Sequence, residues 1–195
     1  MNPYLLIFLL VLGLAMMATG GYFLLRSFQM RRGTFYHNRV GRYLRRWCAV
    51  RRYRLLENVE TACKGRRLKT DFIVVGIFGV LLINVFPKDA DLYGNDGDAQ
   101  WMMKKSQTDR RTFPNPIDQC DRVIASLRET FAGQKVYKIP MEQFYIYPCR
   151  RFKCFVADRY PVYPFAKFKA VLTRDKYHEE KNIDMEQLEA LIRQA

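Results

Sequence analysis

The chain has 195 residues, 49% of them hydrophobic, with 33 Lys and Arg against 19 Asp and Glu for a formal net charge of +14. That length holds one packed domain plus a short accessory segment, and 14 Phe, 12 Tyr and two Trp are enough for a core without staples. The five cysteines form no CxxC pair and indicate neither a disulfide framework nor a zinc site, which fits a reducing compartment.

Residues 4–25 carry no charge, and this run of 22 is long enough to span a hydrocarbon core as a helix. Nothing basic precedes it, whereas Arg26, Arg31 and Arg32 follow at once. Basic residues favour the cytoplasmic side. The expected placement is therefore a single-pass anchor in the cell membrane, with the N-terminus outside and the rest in the cytoplasm. Between Arg26 and Arg67 there are 13 Lys or Arg against Glu57 and Glu60. Such an excess attracts anionic lipid headgroups and equally attracts nucleic-acid phosphates. Position favours lipid for residues 26–32, and the remainder stays open.

Residues 38–52 follow a helical pattern, with Val40, Leu44, Trp47 and Val50 on one face. Arg39, Arg42, Arg45, Arg46 and Arg52 surround it, so this helix is a candidate to bind lipid or nucleic-acid phosphate. A strand is expected over 53–60, a turn over 64–67 and strands over 68–75 and 80–86. Both of the latter are almost continuously apolar, as strands covered on two faces are. Pro87 stops the pairing. Asn95-Asp96-Gly97 signals a hairpin turn, with Trp101 on or beside the return strand. Asn115 is a credible N-cap, Pro116 suits the first helical position and Asp118 suits the first turn. The helix it opens has an apolar face of Cys120, Val123, Ile124, Leu127 and Phe131, and Gly133 ends it. Strands over 136–139 and 152–157 and a terminal helix over 184–193 complete the order. Helices and strands alternating this way indicate an α/β or α+β domain with a mixed sheet. The expected divisions are an anchor with its basic flank (1–32), the domain (33–175) and a helical tail (176–195).

Few motifs carry chemistry. His37 and His178 lack metal-ligand spacing. Asp89, Asp91, Asp96 and Asp98 lack the spacing and terminal Glu of a calcium loop and read as a polar turn. GxSxG, P-loop and Rossmann glycine patterns are absent from the sequence.

Gly41, the strand Tyr53 to Val59, Thr70-Asp71-Phe72-Ile73-Val74-Val75, Gly79-Val80, Ile83 to Phe86, Trp101 and Asn115-Pro116-x-x-Gln119 occur in one order. Together they resemble the NERD domain, the nuclease-related branch of the PD-(D/E)xK superfamily, over roughly residues 38–175. The resemblance implies a restriction-endonuclease-like α/β fold and phosphodiester hydrolysis with a divalent metal. It also implies a motif of a helix acid, a strand Asp, a Glu-x-Lys and a later Gln. Carboxylates in such a set hold Mg²⁺, the metal activates water and the lysine stabilises developing charge. Asp71 and Gln119 match the strand Asp and the Gln, and Asp71 is the matched metal ligand. Arg42 stands at the helix acid, Asn84 at the Glu and Phe86 at the Lys. The implied protein is a membrane-anchored domain with a damaged catalytic motif that binds nucleic acid or a protein partner. A nuclease using relocated Glu57, Glu60 or Lys88, which would need Mg²⁺, and a structural component of a membrane complex are the alternatives.

Overall fold

The structure is a computed structural model that describes residues 3–32, 34–63, 65–87, 90–95, 97–147, 153–157 and 159–195. Side chains at 3, 5–9, 26 and 28–32 also lie outside the description. The N-terminal helix α1 (Pro3–Arg32) is followed by α2 (Thr34–Arg51). Three antiparallel strands come next: β1 (Arg54–Cys63), β2 (Arg66–Gly76) and β3 (Gly79–Val85). A second set of strands is β4 (Asp91–Gly94), β5 (Gln100–Lys104) and β6 (Arg110–Pro114). Then follow α3 (Pro116–Gly133), β7 (Met141–Tyr147), β8 (Cys154–Val156), β9 (Val162–Pro164), α4 (Phe165–Val171) and α5 (Met185–Gln194).

The main sheet runs β1-β2-β3-β7-β9. Its first three strands are antiparallel, and β3, β7 and β9 run parallel. The mixed α/β expectation is met. Alternate residues of a strand face opposite sides, and here both sides are covered. Phe72, Val74, Leu81, Ile83 and Phe144 pack with Val40, Leu44 and Trp47 of α2 and with Phe168 of α4. Ile73, Val75, Val80, Leu82 and Tyr145 pack with Val123, Ile124 and Leu127 of α3 and with Leu188, Leu191 and Ile192 of α5. That double burial is why β2 and β3 read as unbroken apolar runs. A second sheet, β6-β5-β4-β8, lies against the α3 side through Leu92, Trp101 and Met103.

Several expectations change. Val50 is exposed, and Gly41 and Cys48 share the buried face of α2 instead. No strand forms over 136–139. Lys135 and Lys138 are left-handed (φ 59° and 62°) and Pro140 follows, so regular pairing starts only at Met141. The strand expected from 152 covers Cys154–Val156, and residue 152 lies outside the described residues. Asp96, in the expected hairpin turn, also lies outside them, as do Lys88 and Asp89.

Among the described residues no helix is long and apolar enough to cross a membrane. The spanning reading of 4–25 is therefore corrected to a coarser one: a long N-terminal helix whose described side chains are exposed and belong to neither core cluster.

Candidate functional site

The site is a fork in the main sheet. Pairing between β2 and β3 runs from Gly76↔Gly79 to Phe72↔Ile83 and goes no further. Beyond that point β2 stays with β1 while β3 stays with β7. Asp71 sits where the strands part, and side chains take over from the backbone ladder. The Asp71 carboxylate accepts the Val85 N–H through Oδ2 at 2.8 Å, and Asn84 Oδ1 accepts the Asp71 N–H at 3.0 Å. The register also omits the pair between Asp71 and Asn58, which is left-handed at φ 54°, a conformation asparagine tolerates better than most residues.

The fork opens into a cavity of about 320 Å³. Asp71, Asn84, Phe86 and Gln119 all line it, together with Lys69 and Tyr145. The sequence-matched positions therefore converge, although they lie on β2, β3, the residue after β3 and α3. Phe86 is 7% exposed and packs on Phe113 and Tyr145, with ring centroids at 6.1 and 6.0 Å. Burial pushes the Tyr145 phenol well above its ordinary range, so it stays protonated and donates to the Pro116 carbonyl. Burial also pushes the Cys120 thiol up to about 12, which leaves it unreactive as a nucleophile.

The other acids point elsewhere. Glu57 is opposite Phe72 and is held by Arg45 through two bonds of 2.6 and 2.8 Å. That guanidinium lowers the Glu57 carboxyl below its ordinary value. Glu60 faces Arg67 at 3.8 Å. Neither lines the fork. The basic group nearest the Asp71 carboxylate is His37, with Nε2 at 3.8 Å from Oδ1, rather than Arg42, which is exposed and makes no ion pair with the described residues. His37 stacks on Phe72 at 4.5 Å. Sequence reasoning passed over His37 because it looked only for metal spacing. The available signal was its position four residues before Gly41, one turn away on the same helix face. Gly41 itself lies so close to β2 that a Cβ there would sit 3.0 Å from the Phe72 ring.

Among the described residues, no group of three His, Cys, Asp or Glu can hold a metal ion. Mg²⁺ needs near-octahedral oxygen ligands and is usually gripped by one or two carboxylates. Here Asp71 Oδ2 already accepts from Val85 and Asn84 Oδ1 from Asp71, and among the described residues no second carboxylate lines the fork. This donor set does not suit Mg²⁺. As for the expected phosphate-binding arginines, Arg45 is taken by Glu57, and Arg39 lies over the Phe165 ring at 5.4 Å. Arg42, Arg46 and Arg52 are exposed.

The model of the nuclease-related domain, NERD, matches residues 32–155, well over half of the chain. The chain belongs to the NERD family. No curated protein and no solved structure matches it. In this NERD domain the matched segment begins at the last residue of α1, contains the whole fork and ends within β8.

The bond from Val85 to Asp71 holds the fork's two arms together. Asp71→Ala removes a charge-assisted acceptor and is expected to lower stability by about 1.5–3 kcal/mol. Asp71→Asn keeps an oxygen there and is expected to lose less than half as much. Chemical denaturation of the two variants checks this, and equal losses would mean that the bond to Val85 contributes little.

Proposed function

We propose that this NERD domain binds nucleic acid without hydrolysing it and is attached to a membrane through its N-terminal helix. The observation that carries the reading is the state of Asp71. Its carboxylate serves the backbone of β3 and, among the described residues, is the only carboxylate lining the fork, where it faces an amide, a buried phenyl and His37. A site that cleaves phosphodiesters through a metal needs groups that hold the ion and activate water, and among the described residues the fork offers neither a second carboxylate nor a lysine at position 86. The charge of +14 gives phosphates a reason to bind, and Arg39, Arg42 and Arg46 recur at helical spacing along α2. Membrane attachment is supported by the uncharged run 4–25 and by the arginines after it, which attract anionic headgroups at a membrane surface.

The second reading is a nuclease with relocated groups. It draws on His37 at 3.8 Å from Asp71 and on Lys69 at the cavity wall.

The deciding experiment uses the full chain in detergent micelles, with DNA and RNA titrated at several salt concentrations and then incubated with Mg²⁺ or Mn²⁺. The expected result is salt-sensitive binding, with affinity falling linearly on a log–log plot, and intact nucleic acid afterwards. Metal-dependent cleavage that disappears in Asp71→Asn would establish the nuclease instead. Absence of binding at low salt would leave the structural role in a membrane complex.

A further inference from the structure

The second sheet presents an outer face that neither core cluster uses. Leu92, Met103 and Val156 point inward and pack on the α3-side core. Their strand neighbours Tyr93, Met102 and Phe155 therefore point outward. Register aligns them across β5, β4 and β8 as Met102↔Tyr93↔Phe155. The Tyr93 and Phe155 rings stack at 4.7 Å with an interplanar angle of 11°. Phe155 is nonetheless 49% exposed. Since Tyr93 covers one face of that ring, its exposed half is the other face and the rim. It stands on β8, the edge strand of the sheet, and among the described residues no further strand pairs beyond it.

Cations border this stack. Lys104 and Arg110 are opposite each other across β5 and β6, two residues along from the row that holds Met102 and Tyr93. Lys153 precedes β8 and is exposed. None of the three forms an ion pair with a described residue. Among the described acids nearby, Asp91 lies opposite Lys104 in the register and accepts the Lys153 N–H at 2.7 Å, and Asp109 faces Arg111 at 3.6 Å.

We propose that this face is a stacking platform for single-stranded nucleic acid. An unpaired base extends the Tyr93–Phe155 stack over the open face of Phe155, and Lys104, Arg110 and Lys153 take the adjacent phosphates. Any base has a flat apolar face, so such a platform is tolerant of sequence, and it is closed to duplexes, whose bases already stack on each other. The proposal rests on the nucleic-acid-binding reading and adds to it the strand state of the ligand and where it is held. It is separate from the fork: no platform residue lines that cavity.

The test is fluorescence anisotropy of the full chain in micelles with labelled 12-mer oligothymidylate, 12-mer oligouridylate and a 12-base-pair duplex. Phe155→Ala is expected to weaken the two single strands roughly 5- to 100-fold and to leave the duplex unchanged. Phe155→Tyr is expected to retain wild-type affinity, while Phe155→Leu, apolar but without a flat face, behaves like Ala. Lys104→Gln with Arg110→Gln is expected to lower the salt slope for single strands by about 1.4, at ~0.7 per lost phosphate contact. Oligothymidylate carrying 5-iodouracil is expected to crosslink to Tyr93 or Phe155. If single strands bind with affinity unchanged in Phe155→Ala and crosslink elsewhere, the platform is wrong while nucleic-acid binding stands. If the wild type binds none of the three, both are wrong. A loss common to strands and duplex would point to a damaged fold and would overturn the stacking account.

Discussion

Gly79→Ala is expected to cost more than about 3 kcal/mol and to lower the melting temperature by roughly 10 °C. Two penalties coincide at this position. Gly79 has φ +128°, a region that residues with a Cβ rarely enter and that costs on the order of 1–3 kcal/mol when they do. A Cβ built there would also lie 2.2 Å from the Pro140 carbonyl oxygen. That oxygen cannot simply retreat, because it accepts the Val80 N–H at 2.9 Å. This bond starts the parallel alignment of β7 against β3, and the next register pair is Val80↔Met141. The extra methyl thus pushes apart the two strands that carry the cores on both faces of the sheet. Gly97→Ala is the internal comparison. Its φ is +78°, and a Cβ there meets nothing within 4 Å, so strain alone acts and about 1 kcal/mol is expected. Thermal unfolding of both variants checks the pair. Equal losses would mean that backbone strain, and not the contact with Pro140, governs position 79.

The same junction shows what a sequence gives away and what it withholds. Elements whose signal is local were readable. Asn115 caps α3 as its side chain predicts, accepting the Ile117 N–H at 3.0 Å, with Pro116 at the first helical position. The central hairpin was legible because burial on both faces leaves a continuous apolar run. Elements that depend on distant partners were not. β6 begins with two arginines and has no alternating pattern, and it forms because Trp101 and Phe113 register across β5 and β6. β9 has three residues and exists by pairing with β7. The fork was half legible. Its residues could be named from spacing, but a sequence does not record that β2 leaves β3 at Asp71, so it could not tell that the carboxylate turns to the Val85 backbone. Nor did the charge of Glu57 reveal its partner. Only the packing of α2 on β1 shows that Arg45 claims it.

Placing a lysine at position 86 is expected to destabilise the protein. In Phe86→Lys the buried phenyl is lost from between Phe113 and Tyr145. Removing a core Phe side chain costs about 3–5 kcal/mol when the site is left empty. A lysine stem refills part of the volume, and its end can reach toward the open fork. An ammonium that stays within the core must either lose its proton or carry a desolvation penalty. The expected net loss is at least about 3 kcal/mol, or roughly 6–12 °C in melting temperature for a chain of this size. Phe86→Leu, apolar and of similar bulk, is expected to cost no more than about 1.5 kcal/mol. Thermal unfolding of the full chain in micelles separates the two, and a Phe86→Lys variant that melts with the wild type would show that position 86 is free to carry a lysine. The expected outcome bears on function. If Phe86→Lys destabilises as expected, position 86 belongs to the core, which is what the proposed binding role without hydrolysis requires of it. A neutral Asn84 and a carboxylate already bonded to Val85 stand beside it. The packing at 86 and the hydrogen bonds at 71 and 84 then argue together that this fork has become part of the fold's support.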